Sequence, residues 1–229
     1  MSNLTDNEVL YYFNNEEIQT FIDKIDYTFA SAVVASLCFL ISIINLLILI
    51  SSSFFRKYNK ILIALALASI ISLISMAYQN YYQFDQYRTI ITFGFIPQKT
   101  SWDCAILTWV WLKLIADLWP PSIQAMMGIE RAIAVYRPAY YRKIFAQRIN
   151  LQLSATVVFV AFSITVAYGI AALNVVPGFA TCGRKNAFSR EFGVYLYLVN
   201  IFGYLISFIL SFIAFIKAQG TSLPSKFGK

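Results

Sequence analysis

Four stretches of the chain lack charged residues and are long enough to cross a lipid bilayer. A helix needs about 20 residues to span a hydrocarbon core of about 30 Å. The uncharged stretches are residues 27–55, 61–84, 149–183 and 192–216. Because 59% of the residues are hydrophobic and only 13% are charged, the composition also differs from that of a soluble domain. The pattern predicts an integral membrane protein.

A fifth apolar stretch, Cys104 to Ile129, contains two charged residues, Lys113 and Asp117. We count it as a span because charged side chains are tolerated in a membrane helix when they face the protein interior. Residues such as Leu, Ile, Phe and Ala at this density favour helices over the alternating strands of a barrel. The predicted fold is therefore all-α, a polytopic transmembrane helical bundle, with spans at about 27–55, 61–84, 104–136, 149–174 and 192–216.

The distribution of Lys and Arg predicts the orientation, because these residues accumulate on cytoplasmic loops. With the N-terminus outside, eleven of the 18 fall on cytoplasmic segments, six on outer segments and one, Lys113, within a span. We therefore expect a multi-pass plasma-membrane protein with an extracellular segment 1–26 and a cytoplasmic tail 217–229. The net charge of +7 follows from this asymmetry and does not indicate a nucleic-acid partner.

The N-terminal segment is polar and acidic, which argues against a cleavable signal peptide and makes the first span its own insertion signal. It also contains Asn3 in the sequence Asn-Leu-Thr, a glycosylation sequon. Such a sequon is meaningful only on the outer side of the membrane, which is where the charge distribution places it.

Enzymatic chemistry is not expected. The chain has no histidine, which excludes Ser-His-Asp and Cys-His pairs, histidine zinc sites and the commonest general base. It also lacks a glycine-rich phosphate loop. We expect no catalytic residues, no metal and no cofactor.

Two of the three cysteines, Cys104 and Cys182, are predicted to lie on the outer side, where thiols can oxidise. A bridge between them would tie the loop 175–191 over the third span; the alternative is two unrelated thiols. The third cysteine, Cys38, lies in the middle of the first span, and we expect it to be a small buried apolar residue.

Lys113 and Asp117 are four residues apart and so share one face of a helix, where they can pair. One interpretation is structural: the pair offsets the cost of a charge at bilayer depth, at least about 2.5–3.5 kcal/mol. The other is that the two residues line a polar cavity and contact a ligand. The sequence Trp119-Pro120-Pro121 follows them, and its missing amides are expected to bend the helix and help to shape a cavity.

The third span ends in Glu130-Arg131, followed by Pro138 and Tyr141 in the sequence ERAIAVYRPAYY. This segment resembles the Asp-Arg-Tyr motif of rhodopsin-like G-protein-coupled receptors, whose proline and tyrosine follow at matching intervals. Asn45 is similar to the asparagine of that family's first span, and NKILIALALASII looks like its second-span pattern. The resemblance covers about residues 27–216, and its aromatic-rich character is most similar to the nematode serpentine chemoreceptor families.

The resemblance implies a seven-span architecture and a chemosensory receptor that binds a small-molecule or peptide ligand outside and a heterotrimeric G protein inside. It implies the family's disulfide between Cys104 and Cys182, and a ligand site near Lys113, Asp117 and Trp119. Lys113 takes the place of the ligand-binding aspartate of amine receptors, which indicates an anionic or carbonyl-bearing ligand unless Asp117 neutralises it. The implied coupling and switch residues are Glu130, Arg131, Tyr136, Pro138, Tyr141 and Arg142.

Several positions depart from the family pattern. Ser69 replaces the second-span aspartate that binds sodium, which puts ion modulation in doubt, and Ala132 replaces the motif tyrosine. Cys104 lies 27 residues before Arg131, about two more than in the family, and Gly203 stands near an expected proline. No sixth or seventh span follows, so we expect a shortened receptor that is unable to signal alone.

Two other functions fit five spans. One is a non-signalling subunit that forms homo- or hetero-oligomers with full-length receptors. The other is a small transporter or channel subunit with Lys113 and Asp117 on the path of an ion, although transporters commonly contain internal repeats and none is found here.

Overall fold

The structure is a computed structural model, and it describes residues 10–53, 60–145, 149–173, 175–176 and 182–222. Almost all of the described residues are helical, as predicted. The long helices are α1 (Asn15–Ser51), α2 (Lys60–Phe93), α4 (Thr108–Tyr136), α6 (Ile149–Leu173) and α8 (Arg190–Ser222). Three short helices are α3 (Ser101–Ala105), α5 (Pro138–Tyr140), which continues as a π-helical turn over Tyr141–Phe145, and α7 (Arg184–Phe188).

Helix α1 begins twelve residues before the predicted span, at Asn15. The side chain of Asn14 accepts a hydrogen bond from the backbone of Glu17, whose carboxylate accepts one from the Asn14 amide. This capping box satisfies two amides that would otherwise lack partners at the helix start. Part of the predicted extracellular segment is therefore an extension of the first helix.

A two-stranded antiparallel sheet, which the sequence did not predict, lies before α1 and after α2. Strand β1 (Leu10–Tyr12) pairs with β2 (Phe95–Pro97), with Tyr11 opposite Ile96. The hydrogen bond from the Phe13 amide to the Gly94 carbonyl continues the contact. The start of α1 is thereby attached to the segment between α2 and α3.

Four helices of the described residues are long and apolar enough to cross a membrane: α1, α2, α6 and α8. The protein is thus compatible with a multi-pass membrane protein. The fifth predicted span, 104–136, is not one continuous helix, because Ile106 and Leu107 separate α3 from α4. Since α4 contains Lys113, Asp117 and two prolines, its crossing of the bilayer remains a prediction.

Helix α4 lies at the centre of the bundle and packs against α2, α6 and α8. A helix enclosed in this way does not need an apolar surface on every side. Four of its buried side chains are members of the main hydrophobic core, which also includes residues of α6, α7 and α8. They include Trp109, Val110, Leu114 and Leu118.

Helices α4 and α8 approach each other so closely that their backbones touch at two glycines. A Cβ atom on Gly128 would lie 2.7 Å from the Cα of Ser207, and one on Gly203 would lie 2.9 Å from the carbonyl oxygen of Pro121. Small residues allow this kind of contact between membrane helices. Gly203, which stands near an expected proline, is therefore required by packing.

Candidate functional site

The predicted disulfide is confirmed and joins the loop before α7 to α3. Cys104 and Cys182 are both buried, with Cα atoms 5.2 Å apart. A second tie lies beside it: the Ser101 amide donates to the Val176 carbonyl (2.9 Å), and the Val176 amide donates to the Ser101 hydroxyl (3.0 Å). The loop before α7 is thus fixed at two points to α3.

Beyond the bridge, α7 enters the bundle and fills its end near the disulfide. Phe188 is 1% exposed, and its ring lies 5.7 Å from the rings of both Tyr168 and Phe192. Tyr168 donates its hydroxyl to the Ala105 carbonyl at 2.7 Å. The space between α3, α6 and α8 is therefore occupied by aromatic side chains, which the sequence analysis did not anticipate.

Lys113 and Asp117 form the expected ion pair one turn apart on α4, with Nζ 3.7 Å from Oδ1. The side chains are 21% and 15% exposed, so both are largely removed from solvent. Asn200 of α8 donates its amide to the backbone carbonyl of Asp117 at 2.8 Å. The pair thus lies where α4 meets α8, in the half of the bundle nearer the disulfide.

A polar cluster that the sequence analysis missed joins α2 to Lys99 and lies against Trp109 of α4. The Tyr82 hydroxyl accepts hydrogen bonds from Lys99 (2.9 Å) and Gln86 (3.3 Å), and the Tyr82 ring lies 5.8 Å from that of Trp109. The indole N–H of Trp109 and the hydroxyl of Ser75 are buried without a partner among the described residues. Such groups in a folded protein call for a water or a ligand atom.

Trp119 does not join Lys113 and Asp117. Its indole N–H donates to the Thr156 hydroxyl of α6 at 3.4 Å. Because Trp119 follows Asp117 by two residues, or about 200° around the helix, the two point in nearly opposite directions. The structure therefore assigns Trp119 to the contact between α4 and α6.

Near the C-terminal end of α4, Glu130 accepts a hydrogen bond of 2.8 Å from the Tyr141 hydroxyl. Burial, and then the carboxylate of Glu130, raises the pKa of Tyr141 to about 12. The phenol is therefore neutral and a hydrogen-bond donor at physiological pH. The sequence placed both residues in one motif but did not predict this contact.

Arg131, the next residue, is exposed and donates to the Ser211 hydroxyl of α8 at 3.4 Å. Tyr136 is 50% exposed, with Nζ of Lys217 4.6 Å from its ring centroid. Pro138 is the first residue of α5, and Arg142 is exposed in the π-helical turn. These residues share the end of the bundle where α4 and α8 terminate.

A cleft of about 270 Å³ opens beside the Glu130-Arg131 doublet. It is lined by Ile61, Leu62, Met127, Glu130, Arg131, Ala134, Tyr141 and Ile149. The structure thus brings together three of the predicted coupling residues in one concave surface that combines an acid, a base and a phenol with apolar walls.

Asn45 and Ser69 line a different groove, of about 360 Å³, between α1 and α2. Ser69 donates its hydroxyl to the Leu65 carbonyl within its own helix at 2.9 Å. Asn3 lies outside the described residues. Within the described residues there is no group of three or more His, Cys, Asp or Glu side chains suited to a metal ion.

No family model matches this chain, and neither a curated protein nor a solved structure is significantly similar to it.

Proposed function

We propose that this chain is a chemosensory receptor of the rhodopsin-like, G-protein-coupled type, with its N-terminus outside the plasma membrane and its C-terminus in the cytoplasm. One observation carries the proposal. A single central helix, α4, has the disulfide-tied α3 and the Lys113–Asp117 pair at one end and the Glu130-Arg131 doublet with its cleft at the other.

The two ends of α4 are geometrically connected. Lys113 and Arg131 are 18 residues apart, which is five full helical turns, so they lie on the same face of α4 and about 27 Å apart along its axis. Helix α8 contacts both regions, through Asn200 near Asp117 and through Ser211 at Arg131. A ligand that changes the contact between α4 and α8 near Asp117 therefore acts on the same two helices that form the contact at Arg131.

The ligand class follows from the chemistry of the outer region. A lysine ammonium and the unpartnered donors of Trp109 and Ser75 favour a small ligand with a carboxylate or carbonyl group. Such a ligand would compete with Asp117 for Lys113. It can shift the receptor only by binding one helix arrangement more tightly than the other.

Guanine-nucleotide exchange tests the proposal. The chain, and a fusion that adds two further transmembrane helices, would be reconstituted in lipid nanodiscs with heterotrimeric G proteins. We expect exchange above that of empty nanodiscs from the fusion and not from the chain alone. In the fusion, Arg131→Ala should lower exchange about tenfold or more, since a hydrogen bond from a charged group contributes roughly 1.5–3 kcal/mol. Arg137→Ala, which removes another exposed inner cation, is the matched control. Absence of exchange from both forms, or equal exchange in the two variants, would contradict coupling through Arg131.

A further inference from the structure

Two hydrogen-bond donors without an acceptor lie beside Tyr82 in the contact between α2 and α4. The indole N–H of Trp109 and the hydroxyl of Ser75 are buried without a partner among the described residues. The ring of Tyr82 lies 5.8 Å from that of Trp109. Ser75 precedes Tyr82 by seven residues, so it lies on the same side of α2, about two turns or 10 Å deeper. Tyr82 therefore covers both donors from the end of the bundle where Lys99 lies.

Two hydrogen bonds to the hydroxyl hold Tyr82 in this position. Gln86, one turn along the same helix, donates at 3.3 Å, and Lys99 donates at 2.9 Å from the segment between β2 and α3. The first distance exceeds the usual range for an N–H···O bond, whereas the second is a charge-assisted bond of ordinary length. The position of the Tyr82 ring therefore depends mainly on where the chain places Lys99.

Strand β2 determines the position of Lys99, which follows its last residue, Pro97, by two residues. Helix α2 ends just before β2 at Gly94, where φ is +73°, a conformation that favours glycine. The Gly94 amide donates to the Ile90 carbonyl at 2.8 Å and so closes the last turn of α2. Among the described strands, β2 pairs with β1 alone. Strand β1 is thus the partner that fixes β2 between α2 and α3.

Strand β1 can separate from β2 without unfolding the bundle. A two-stranded sheet with three residues in each strand is marginally stable by itself. The chain after β1 is anchored independently, because Phe13 packs on Phe21 of α1, which packs on Tyr87 of α2, with ring centroids 5.3 and 5.1 Å apart. Local opening of such a segment requires much less free energy than global unfolding.

We propose that β1 is a strap that controls access to the donors covered by Tyr82. While β1 is paired, Lys99 stays on the Tyr82 hydroxyl and the region is closed. When β1 separates, the segment 94–100 rotates about Gly94, Lys99 leaves Tyr82, and the Tyr82 ring turns away from Trp109. The solutes admitted are small carboxylates, because the ammonium, indole and hydroxyl groups along this path are donors. This choice of solute rests on the proposed function, whereas the opening movement does not.

A buried cysteine tests the strap in lipid nanodiscs. Cys38, which is exposed and not buried as expected, is first replaced by Ser, so that Ser75→Cys supplies the only free thiol. Its alkylation by iodoacetate, a small carboxylate that reacts with thiols, measures access. The Phe13 amide donates to the Gly94 carbonyl at 3.0 Å, so the Tyr11 amide, two residues earlier, also faces β2. Tyr11→Pro removes that donor and should accelerate alkylation about tenfold.

A zinc lock tests the closed state without weakening the sheet. Tyr12 and Phe95 are directly opposite each other on the two strands, and the chain contains no histidine. In Tyr12→His with Phe95→His, Zn²⁺ should therefore bridge the strands through two imidazoles. We expect added Zn²⁺ to slow alkylation of the Ser75→Cys thiol about tenfold, because the metal binds the paired state preferentially. Tyr12→His alone should show no response to Zn²⁺.

A second reporter separates the strap from general loosening. Ser163 is a buried serine of α6, 2% exposed, and Ser163→Cys in the same background should react at a rate that neither change alters. Three results would overturn the proposal: no acceleration by Tyr11→Pro together with no effect of Zn²⁺, equal changes at both reporters, or no alkylation of the Ser75→Cys thiol in any variant. If Tyr11→Pro does not fold, the response to Zn²⁺ decides. Since no G protein is present, a failure of coupling leaves this result unaffected.

Discussion

Tyr141 donates a hydrogen bond of 2.8 Å to Glu130 and so joins the turn after Pro138 to the last turns of α4. We expect Tyr141→Phe to lower the free energy of unfolding by about 0.5–1.5 kcal/mol, the net contribution of one hydrogen bond. Tyr140→Phe is the control, because Tyr140 is 46% exposed and has no hydrogen bond among the described residues. Thermal unfolding in nanodiscs measures the difference, and equal effects of the two changes would contradict the assignment.

The same contact has a defined pH dependence. The pKa of Tyr141 is about 12 in the folded protein, above the ordinary value of about 10. A raised pKa means that the folded state holds the phenol proton more tightly, so this contribution to stability is complete below about pH 10 and is lost as the pH rises toward about 12. The stability difference between the unaltered protein and Tyr141→Phe should accordingly shrink over that interval and stay constant between pH 6 and 9.

The outer disulfide gives a labelling prediction. In Cys104→Ser, Cys182 becomes a free thiol and should react with a membrane-impermeant alkylating reagent on intact cells. The unaltered protein should not react, since Cys38 lies within the span of α1. We also expect the variant to lose about 2–4 kcal/mol of stability. Equal labelling of the two proteins would show that the bridge does not form in cells.

A glycine-to-alanine substitution should have opposite effects on stability at Gly128, which touches another helix, and at Gly169, which does not. Gly128→Ala places a Cβ atom 2.7 Å from the Ser207 backbone and should cost about 1–3 kcal/mol, because the helices must separate. Gly169→Ala meets nothing within 4 Å and should stabilise α6 by about 0.5–1 kcal/mol. Thermal unfolding of both variants tests the contact, and a neutral Gly128→Ala would contradict it.

Exchanging the two charges separates the structural and ligand-binding interpretations of Lys113 and Asp117. Each single change, Lys113→Ala or Asp117→Ala, leaves a charge at bilayer depth and should lower stability by at least about 2.5 kcal/mol. The double change Lys113→Asp with Asp117→Lys preserves a pair and should restore surface expression. If Lys113 binds ligand, the exchanged protein should still fail to respond, whereas a restored response would leave the pair with a structural role alone.

The orientation of the chain is tested with two introduced cysteines. Arg142→Cys, after α4, should react with an impermeant reagent only after the membrane is permeabilised. Thr92→Cys, exposed near the end of α2, should react on intact cells. The reverse pattern would contradict both the orientation and the receptor proposal, because the Glu130-Arg131 doublet would then face outward.

The length of the uncharged stretches was sufficient to predict four of the long helices, because a membrane span is a local property of the sequence. The predicted ends of these helices were less accurate. The first helix starts at Asn15 since Asn14 and Glu17 form a capping box, a signal that is present in the sequence but was assigned to the extracellular segment 1–26. The third span is interrupted at Ile106, where no proline or glycine marks the break.

The features that could not be predicted from the sequence depend on contacts between residues that are distant along the chain. Pairing of Tyr11 with Ile96, and insertion of Phe188 between α3, α6 and α8, depend on the assembled bundle. The disulfide was predictable because two cysteines shared one side of the membrane. The sequence analysis placed Trp119 in one ligand site with Lys113 and Asp117 because it is close to Asp117 along the chain. Its side chain, however, points in nearly the opposite direction around the helix.

The backbone contacts at Gly128 and Gly203 also determine how α8 can move. With no side chain between the helices at these two points, α8 cannot come closer to α4 there. Asn200 lies three residues before the first contact on α8, and Ser211 lies four residues after the second. A rearrangement of α8 against α4 that keeps these contacts would therefore be a rotation, which changes the spacing at Asn200 and at Ser211 together.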